Sequence, residues 1–375
     1  MRIISSGVIA GGAEGSGLSS CNFPDVCVLP DGGMIASFKG SPEKVPLAGE
    51  RGYLCFSYDS GETWSEPVAP FPAVFIHNNR EGSVRCIYAT HLGGSRILAV
   101  FAVVYEEGDL PMYNPETEGI LDCDIFFAHS EDLGRTFSKP ERMDTTPYNQ
   151  PVPLTGPALR LPDGRILCQF ETNKTYYDTM PWIHSSVVIH SCDDGKTWGD
   201  ATAITRDPDI YYWDQRIGVM KDGRLLDMFW TFDSKKAEYL TIHACESVDG
   251  GKTWSALWDT GLPGQPGAPA DAGDGRTAVI YIDRSGPPKI VVRLSPDGGR
   301  TYLPQQLTIY DSGQRKQEVG KSSMNDAWTE MQAFSVGHPN LVSLPSGELY
   351  ATFYAGPHSD RTDICWVRID PSGTE

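Results

Sequence analysis

Basic residues are scarce in this sequence, and their scarcity excludes several classes of partner. Lys and Arg together number 31 against 49 Asp and Glu, which gives a formal net charge of -18 at pH 7. A chain this acidic repels polyanions, so we predict no binding to nucleic acid or to an anionic membrane surface. No apolar run approaches the length of a membrane span, and residues 1–8 are too short and too polar for a secretory signal. We therefore expect a cytoplasmic protein.

Cysteine motifs are lacking as well. The nine cysteines are odd in number and scattered, and no Cys-x-x-Cys pair occurs among them. This pattern favours reduced, buried thiols over a disulfide framework or a zinc site. His184, His338 and the neighbouring Asp residues show no metal-ligand spacing, so the sequence predicts neither a metal nor a cofactor. Long stretches of helical periodicity are absent too, which indicates an all-β chain.

What the sequence does contain is one short pattern in five copies. Ser-x-Asp-x-Gly-x-Thr-aromatic, hereafter the Asp-box, occurs at residues 57–64, 130–137, 191–198, 247–254 and 295–302. Each copy suits a hairpin tip, because the Asp carboxylate can accept hydrogen bonds from turn amides and the Gly tolerates a positive φ. A calcium loop would need a distal Glu and helical flanks, so we predict that the boxes are structural. The roughly 50–75 residues between copies match a propeller blade of four strands.

A second repeated feature is a tight turn between two apolar strands. It occurs at residues 31–32, 93–94, 163–164, 222–223, 274–275 and 346–347. Six such hairpins against five boxes predict a six-bladed β-propeller of four-stranded antiparallel blades, a single domain over residues 1–375. The N- and C-terminal strands would share one blade, residues 364–369 as its third strand and residues 2–10 as its fourth. The axial mouth opposite the boxes is then the predicted ligand pocket.

These motifs resemble those of the sialidase (neuraminidase) superfamily of six-bladed propellers, and the resemblance covers nearly the whole chain. It implies the propeller fold strongly and glycoside hydrolysis only weakly, because Asp-boxes also occur in propellers of other function. Sialidases hold the substrate carboxylate with three arginines, and they use an Asp acid/base and a Tyr nucleophile assisted by a Glu. Guanidinium groups suit a planar carboxylate because they form paired hydrogen bonds with it.

The three arginine positions of the family are altered in this sequence. Counting back from the inner turns places Asn22 at the first, in a stretch that keeps the family proline and ends at Asp25. Trp230 stands at the second, and the third falls near Lys289 or Arg284. We take these five residues as candidates for substrate contact. Without the clamp, we predict weak or no activity on ordinary sialosides.

The catalytic positions implied by the resemblance are altered too. The family Glu falls at Asp214, and the nucleophilic Tyr falls at His338. At the acid/base position the chain has Glu50, whereas a better match, Asp124, lies in the next blade. Glu171 is a further candidate acid. Each of these carboxylates is also open to a plainer interpretation as a solvated or loop-capping group.

Two arginines and one aromatic residue complete the candidate site. Arg80 opens the second blade, where it either contacts an anionic group or forms an ordinary ion pair. Arg216 lies two positions after Asp214 and shares its sheet face, so the two side chains either neutralise each other or both reach a ligand. The indole of Trp230 either stacks on a sugar ring or packs between blades.

Three functions remain open from the sequence. The first is a glycoside hydrolase with a rebuilt pocket, in which Asp214 and either Glu50 or Asp124 supply acid and base for cleavage of a small glycan or oligosaccharide. The second is a non-catalytic propeller that binds a carbohydrate or a protein at the same mouth. The third is a lyase with His338 as the base. The sequence does not indicate an oligomeric state.

Overall fold

Strands dominate the computed structural model of the chain, which describes residues 1–45, 47, 49–149, 151–313 and 323–373. The elements in chain order are β1 (Arg2–Ala10), β2 (Ser20–Val28), β3 (Met34–Ser41), β4 (Arg51–Ser57), β5 (Phe75–His77), β6 (Arg80–Gly93), β7 (Arg96–Tyr105), β8 (Cys123–Ser130), β9 (Glu141–Arg142), β10 (Leu159–Arg160), β11 (Ile166–Thr172), β12 (Ser185–Ser191), β13 (Gly199–Ala203), β14 (Ile210–Val219), β15 (Leu225–Asp233), β16 (Glu238–Tyr239), β17 (His243–Ser247), β18 (Trp258–Asp259), β19 (Gln265–Pro266), β20 (Ala270–Asp271), β21 (Thr277–Asp283), β22 (Lys289–Ser295), β23 (Gln306–Asp311), α1 (Met324–Ala333), β24 (Val336–Ser343), β25 (Leu349–His358) and β26 (Arg361–Asp370). The all-β class predicted from the sequence is confirmed.

Four of the sheets are each built from one continuous stretch of chain. Their strand orders are β5-β6-β7-β8-β9, β10-β11-β12-β13, β14-β15-β17-β18 with β16 beside β15, and β19-β21-β22-β23 with β20 beside β21. All their pairings are antiparallel. The inner hairpins predicted from the tight turns are present, as the pairs β2–β3, β6–β7, β10–β11, β14–β15, β20–β21 and β24–β25.

The fifth sheet joins the two ends of the chain. Its order is β24-β25-β26-β2-β3-β4, and β1 pairs with β26. β1 runs antiparallel to β26, from Arg2 opposite Asp370 to Ala10 opposite Ile364. A single parallel pair links β2 to β26. The sheet therefore consists of two antiparallel groups, and the N-terminal strand lies in the C-terminal group, as the sequence predicted.

Neighbouring sheets pack face to face through apolar side chains. One shared cluster combines Tyr88, Val100 and Phe127 of β6, β7 and β8 with Ile166 and Ile189 of β11 and β12. The central strands of these sheets are consequently buried on both faces, as expected for sheets stacked side by side.

The Asp-boxes form one recurring hydrogen-bonded turn. In the first box, Ser57 Oγ accepts the Gly61 amide at 2.8 Å, while the Asp59 carboxylate accepts the Thr63 amide at 2.9 Å and the Thr63 hydroxyl at 2.5 Å. The same three bonds recur in the other four boxes. The bonds from Thr63 lower the pKa of Asp59 to about 2. The boxes are thus structural turns, as predicted.

The helix α1 is an element that sequence periodicity did not indicate. It begins after Ser323, whose side chain accepts the Asp326 amide at 3.3 Å. Its buried residues are Met324, Ala327 and Glu330. Because a glutamate lies in the buried stripe, the apolar repeat that would have revealed the helix is broken.

The cysteines do not form disulfides. Of the nine cysteines, all free, six are buried and Cys192 is exposed. Within the described ranges, no helix is long and apolar enough to cross a membrane.

Candidate functional site

A cavity of about 220 Å³ lies where the first strands of several sheets meet. Among the lining residues that belong to a strand or to the helix, most come from β2, β6, β14 and α1, and β7, β8, β11, β15, β19, β24 and β25 each add one. Aromatic rings and a few charged groups share the lining, which is the usual composition of a small-molecule site.

Three of these strands carry the same irregularity at the cavity. β2, β14 and β24 each have a β-bulge. In each bulge one residue takes a positive φ: 55° at Phe23, 48° at Asp214 and 44° at His338. All three residues line the cavity. Bulges redirect side chains, and non-glycine residues in this backbone region cluster at functional sites, so the three positions mark the site.

Asp214 provides a carboxyl group with an unusual environment. Its Oδ2 accepts a hydrogen bond from Gln265 Nε2 at 2.5 Å and lies 4.0 Å from His338 Nε2. Its Oδ1 lies 3.5 Å from Arg216 Nη2. Burial raises the pKa of Asp214; the charge of Arg216 opposes this rise, and the charge of Glu171 adds to it. The group is consequently poised to hold a proton at a higher pH than an ordinary Asp.

His338 is held as a neutral ring. Arg216 Nη2 lies 2.7 Å from His338 Nδ1, and because a guanidinium can only donate, Nδ1 is the acceptor. The ring proton therefore lies on Nε2, the nitrogen nearer to Asp214. Burial, with the nearby cations beginning with Arg216, lowers the pKa of His338 well below its usual value. His338 is thus a hydrogen-bond donor in the cavity, with no free ring lone pair to act as a base.

Glu50 lies buried beside the cavity. Its Oε1 is 2.7 Å from both Lys39 Nζ and Arg85 Nη1, and its side chain is 0% exposed. Two cations on one oxygen make it a structural ion-pair partner rather than a proton donor to a ligand. Arg85 itself lines the cavity, with 23% of its side chain exposed, and its guanidinium lies 5.7 Å from the ring centre of Phe23.

Lys44 and α1 form another wall. Lys44 Nζ donates to the Met331 carbonyl at 3.0 Å and to the Phe334 carbonyl at 2.5 Å, which satisfies the end of the helix. Trp328 of α1 stacks on Tyr113 at a ring distance of 4.7 Å and lines the cavity. Lys44, Arg85 and α1 were not among the sequence predictions. The Ser-x-x-Asp start of α1 is the one local signal that would have revealed it.

Two tyrosines reach the cavity, but neither is activated. Burial raises the pKa of Tyr354 to about 12, and it raises the pKa of Tyr88 well above the usual value. A nucleophilic phenol needs the opposite shift or an adjacent base. A family-type Tyr nucleophile is therefore not found among these two side chains.

Comparison with known proteins decides the family. Residues 99–351 match the family model of the BNR repeat-like domain. The chain belongs to this family, within the sialidase superfamily. The Asp-boxes therefore identified the superfamily correctly.

Relatives of this BNR-repeat protein include sialidases. A sialidase of Micromonospora viridifaciens is 25% identical over 323 residues, which cover 76% of this chain and 46% of the relative. The chain thus spans less than half of that relative's length. A protein of unknown function from Dyadobacter fermentans superposes with a TM-score of 0.74 at 18% identity, over 98% of both chains. The intramolecular trans-sialidase of Ruminococcus gnavus superposes with a TM-score of 0.65 at 13% identity, over 100% of both chains. At these identities, the solved structures support the fold alone.

Several sequence-predicted residues of the BNR-repeat protein lie at or beneath the cavity. The ones that line it are Asn22, Glu171, Asp214, Arg216, Trp230 and His338. Asp25 lies beneath, 3% exposed, and burial raises its pKa to about 6. The predicted residue Arg284 lies behind the cavity wall. It is 8% exposed and donates a hydrogen bond to Gln265 Oε1 at 3.1 Å.

Three predicted residues lie outside the cavity, each in an ion pair. The pairs are Arg80 with Asp122 at 2.9 Å, Asp124 with Arg142 at 2.8 Å, and Lys289 with Asp311 at 3.0 Å. Their positions follow from strand register. Arg80 begins β6 five residues before Arg85, and Lys289 begins β22, one strand away from the inner hairpin of its sheet. No group of three or more His, Cys, Asp or Glu in the described part of the chain is arranged to hold a metal.

Proposed function

We propose that this BNR-repeat protein is a glycoside hydrolase with a sialidase-like fold that cleaves a small glycan in the cavity. One observation supports the proposal above all: the carboxyl group of Asp214 has a raised pKa and lies among donors inside a concave, aromatic-lined site. Asp214 would give its proton to the glycosidic oxygen as the bond to that oxygen breaks. Arg216 and the Nε2–H of His338 would then stabilise the carboxylate that forms. Water would supply the hydroxyl group of the released sugar, and its other proton would return to the carboxylate of Asp214.

The lining favours a sugar that carries an acidic group. Trp213, Trp230 and Trp328 offer aromatic faces for a sugar ring. Arg85 and Arg216 bring guanidinium groups to the wall, whereas burial lowers the pKa of Lys44 well below its usual value. The volume is below the usual range for drug-sized ligands, which suits a single sugar unit in the cavity. Two arginines line the cavity, Arg85 beside Glu50 and Arg216 beside Asp214, and two guanidinium groups that already face carboxyl groups of the chain do not reproduce a three-arginine clamp. Ordinary sialosides should therefore be poor substrates.

We further infer that the whole chain, residues 1–375, is one six-bladed propeller. Four sheets would each be one blade, and the fifth would supply two, divided at the parallel pair of Ser20 and Thr362. The pairing of β1 with β26 would close the ring through strands from both ends of the chain.

Two alternatives to the hydrolase are a non-catalytic binding propeller and a lyase. A non-catalytic carbohydrate-binding propeller would use the same cavity, and it is separated from the hydrolase by turnover. A lyase with His338 as base is disfavoured, because Arg216 donates to His338 Nδ1 and the ring proton lies on Nε2.

The substitution Asp214→Asn tests the hydrolase. The amide keeps the size of the side chain and can still accept from Gln265, but it cannot donate the acid proton. We expect turnover of acidic and neutral oligosaccharides, measured by mass spectrometry, to fall by about 10²–10⁴-fold, with binding measured by calorimetry retained.

Asp124→Asn is the matched control, because that carboxylate is paired with Arg142 outside the cavity. It should leave turnover unchanged. Full turnover by Asp214→Asn would disprove its role as the acid. Binding without turnover by the unmodified chain would favour the non-catalytic propeller, and rapid cleavage of a fluorogenic α-sialoside would contradict the predicted specificity.

A further inference from the structure

We propose that Glu171 and His184 form a positioning pair that fixes Asp214 through its backbone amide. The inference rests on the proposed role of Asp214 as the acid. Glu171 lies near the end of β11, and His184 immediately precedes β12. Both come from the sheet beside the one that carries Asp214.

The contacts of Glu171 account for both of its carboxylate oxygens. Oε1 accepts a hydrogen bond from the backbone amide of Asp214. Oε2 lies 3.2 Å from His184 Nε2. Glu171 is 7% exposed and His184 is 1% exposed, so water competes little for either contact. Glu171 also lines the cavity, and we assign it to the support of Asp214 because its Oε1 holds the Asp214 amide.

The amide of Asp214 needs a partner because the bulge deprives it of one. Strands β14 and β15 pair regularly up to Trp213 and again from Arg216, and the ladder is interrupted between them. A buried amide without an acceptor is costly, so the carboxylate of Glu171 replaces the missing strand partner. The same bond restrains Asp214 in its positive-φ conformation, which persists only where the surroundings determine it.

The sequence at this bulge differs from that at the other two. In the equivalent bulges, Phe23 and His338 are followed by Pro24 and Pro339, which have no amide hydrogen. Gln215 follows Asp214 instead. Its side chain donates to the carbonyls of Phe170 and Val187, at 2.7 and 2.9 Å, which docks the bulge onto β11 and β12. The strands that hold the Gln215 side chain also provide Glu171.

His184 is itself fixed by aromatic neighbours. Its ring makes an edge contact with Trp182 at 5.8 Å and lies 5.7 Å from the ring of Tyr211. Tyr211 is in β14, three residues before Asp214. His184 therefore connects the carboxylate of Glu171 to the same strand that carries the acid.

The pair also has an electrostatic effect on Asp214. The charged groups that face its carboxyl are Arg216 and Arg284, which lower its pKa, and Glu171, which raises it. His338 faces it as a neutral donor. Removal of the Glu171 charge, with its hydrogen bond kept, should therefore lower the pKa of Asp214. Removal of a carboxylate charge remote from Asp214 would not produce that shift.

Two substitutions of Glu171 separate these effects. Glu171→Gln keeps an acceptor oxygen for the Asp214 amide but removes the charge. A general acid is active only while protonated, so the loss of kcat/KM at high pH should move to lower pH, with kcat retained on the acidic side. Glu171→Ala removes the bond as well, and we expect kcat to fall at least about 10-fold across the pH range with a smaller change in KM. Glu141→Gln, at an exposed position in β9, is the matched control.

A second measurement does not depend on turnover. The carboxyl carbon of Asp214 can be titrated by NMR in ¹³C-labelled protein and assigned by its disappearance in Asp214→Asn. The Glu171→Gln variant should lower its midpoint, whereas Glu141→Gln should not. If the unmodified chain hydrolyses no glycan, the proposed function fails while this titration still tests the pair. An unchanged midpoint in Glu171→Gln, or wild-type kcat in a folded Glu171→Ala, would overturn the positioning role.

Discussion

At the scale of single residues, the same β-bulge occurs in three strands that line the cavity, β2, β14 and β24. Each bulge places one side chain in the cavity, and these are Phe23, Asp214 and His338. Two positions later, each strand has a largely buried polar residue, Asp25, Arg216 or Asn340, and of these Arg216 also lines the cavity. Asn340 donates to Asp25, and the charge of Arg216 favours the ionised form of Asp25. These polar residues thus come from the same three strands as the bulge residues that line the cavity.

Asp25 gives a prediction about stability and pH. Burial raises its pKa to about 6, so the folded state binds this proton more tightly than the unfolded state does. The stabilising contribution is complete below the unfolded pKa, near 4, and is lost as pH rises through about 6. Asp25→Asn does not titrate. The free energy of unfolding of the wild type should therefore fall by about 2 kcal/mol relative to the variant between pH 4.5 and 7.5.

Urea denaturation of both proteins at the two pH values measures this difference. A gap between wild type and variant that stays constant with pH would show that Asp25 keeps an ordinary pKa. Asp31→Asn, at an exposed turn position, is a control for a carboxylate in the same hairpin.

The sequence located part of this site and missed the rest for a physical reason. Asp214 and His338 were found because each lies at a fixed distance from an inner turn. Arg85 was missed in favour of Arg80, since the choice between two arginines of β6 depends on register, and β6 has its own bulge between Val84 and Cys86. A bulge shifts which side chain faces the cavity, and a count along the sequence does not reveal it.

At the scale of elements, the Asp-box depends on its glycine. Gly61 has a φ of 88°, and a Cβ there would lie 2.7 Å from Tyr350 Cε2 and 2.8 Å from Met34 Sδ. Gly61→Ala therefore combines backbone strain with a steric clash, and we expect it to lower the free energy of unfolding by about 2–4 kcal/mol.

A matched control isolates the clash. Gly164 has the same φ of 88°, and a Cβ there would meet nothing within 4 Å. Gly164→Ala should therefore cost only the strain, about 1–2 kcal/mol. Thermal or urea unfolding compares the two variants, and equal destabilisation by both would show that the packing of the box against Tyr350 contributes nothing.

The Asp-boxes can be predicted from the sequence, whereas the helix α1 cannot. The Asp-box is held by bonds between residues at most four positions apart, so its pattern alone predicts its structure. The helix α1 depends on distant partners: Lys44 binds its last carbonyls, and Trp328 stacks on Tyr113. Contacts of this range leave no local periodicity, and the wall that α1 adds to the cavity was therefore unforeseen.

At the scale of the whole molecule, the pairing of the two chain ends has the largest consequence. β1 pairs with β26 at seven positions, and the backbone of Gly7 lies against the indole of Trp366, which is 3% exposed. If this pairing closes a propeller, as we infer, its loss would open the ring as well as remove one strand. Sequence symmetry predicted the pairing, because six hairpins and five boxes leave one outer strand to be supplied from elsewhere.

Deletion of residues 1–10 tests closure directly. The edge of β26 and one face of Trp366 would become accessible, and exposed strand edges promote association between chains. We expect the melting temperature to fall by roughly 5–10 °C and the deleted chain to self-associate, as measured by calorimetry and light scattering. Ile4→Thr is the control, because that side chain is 44% exposed and the substitution leaves the backbone pairing intact. A deleted chain that melts like the full one and stays dispersed would mean that β1 is an appendage and that the other strands hold the ring without it.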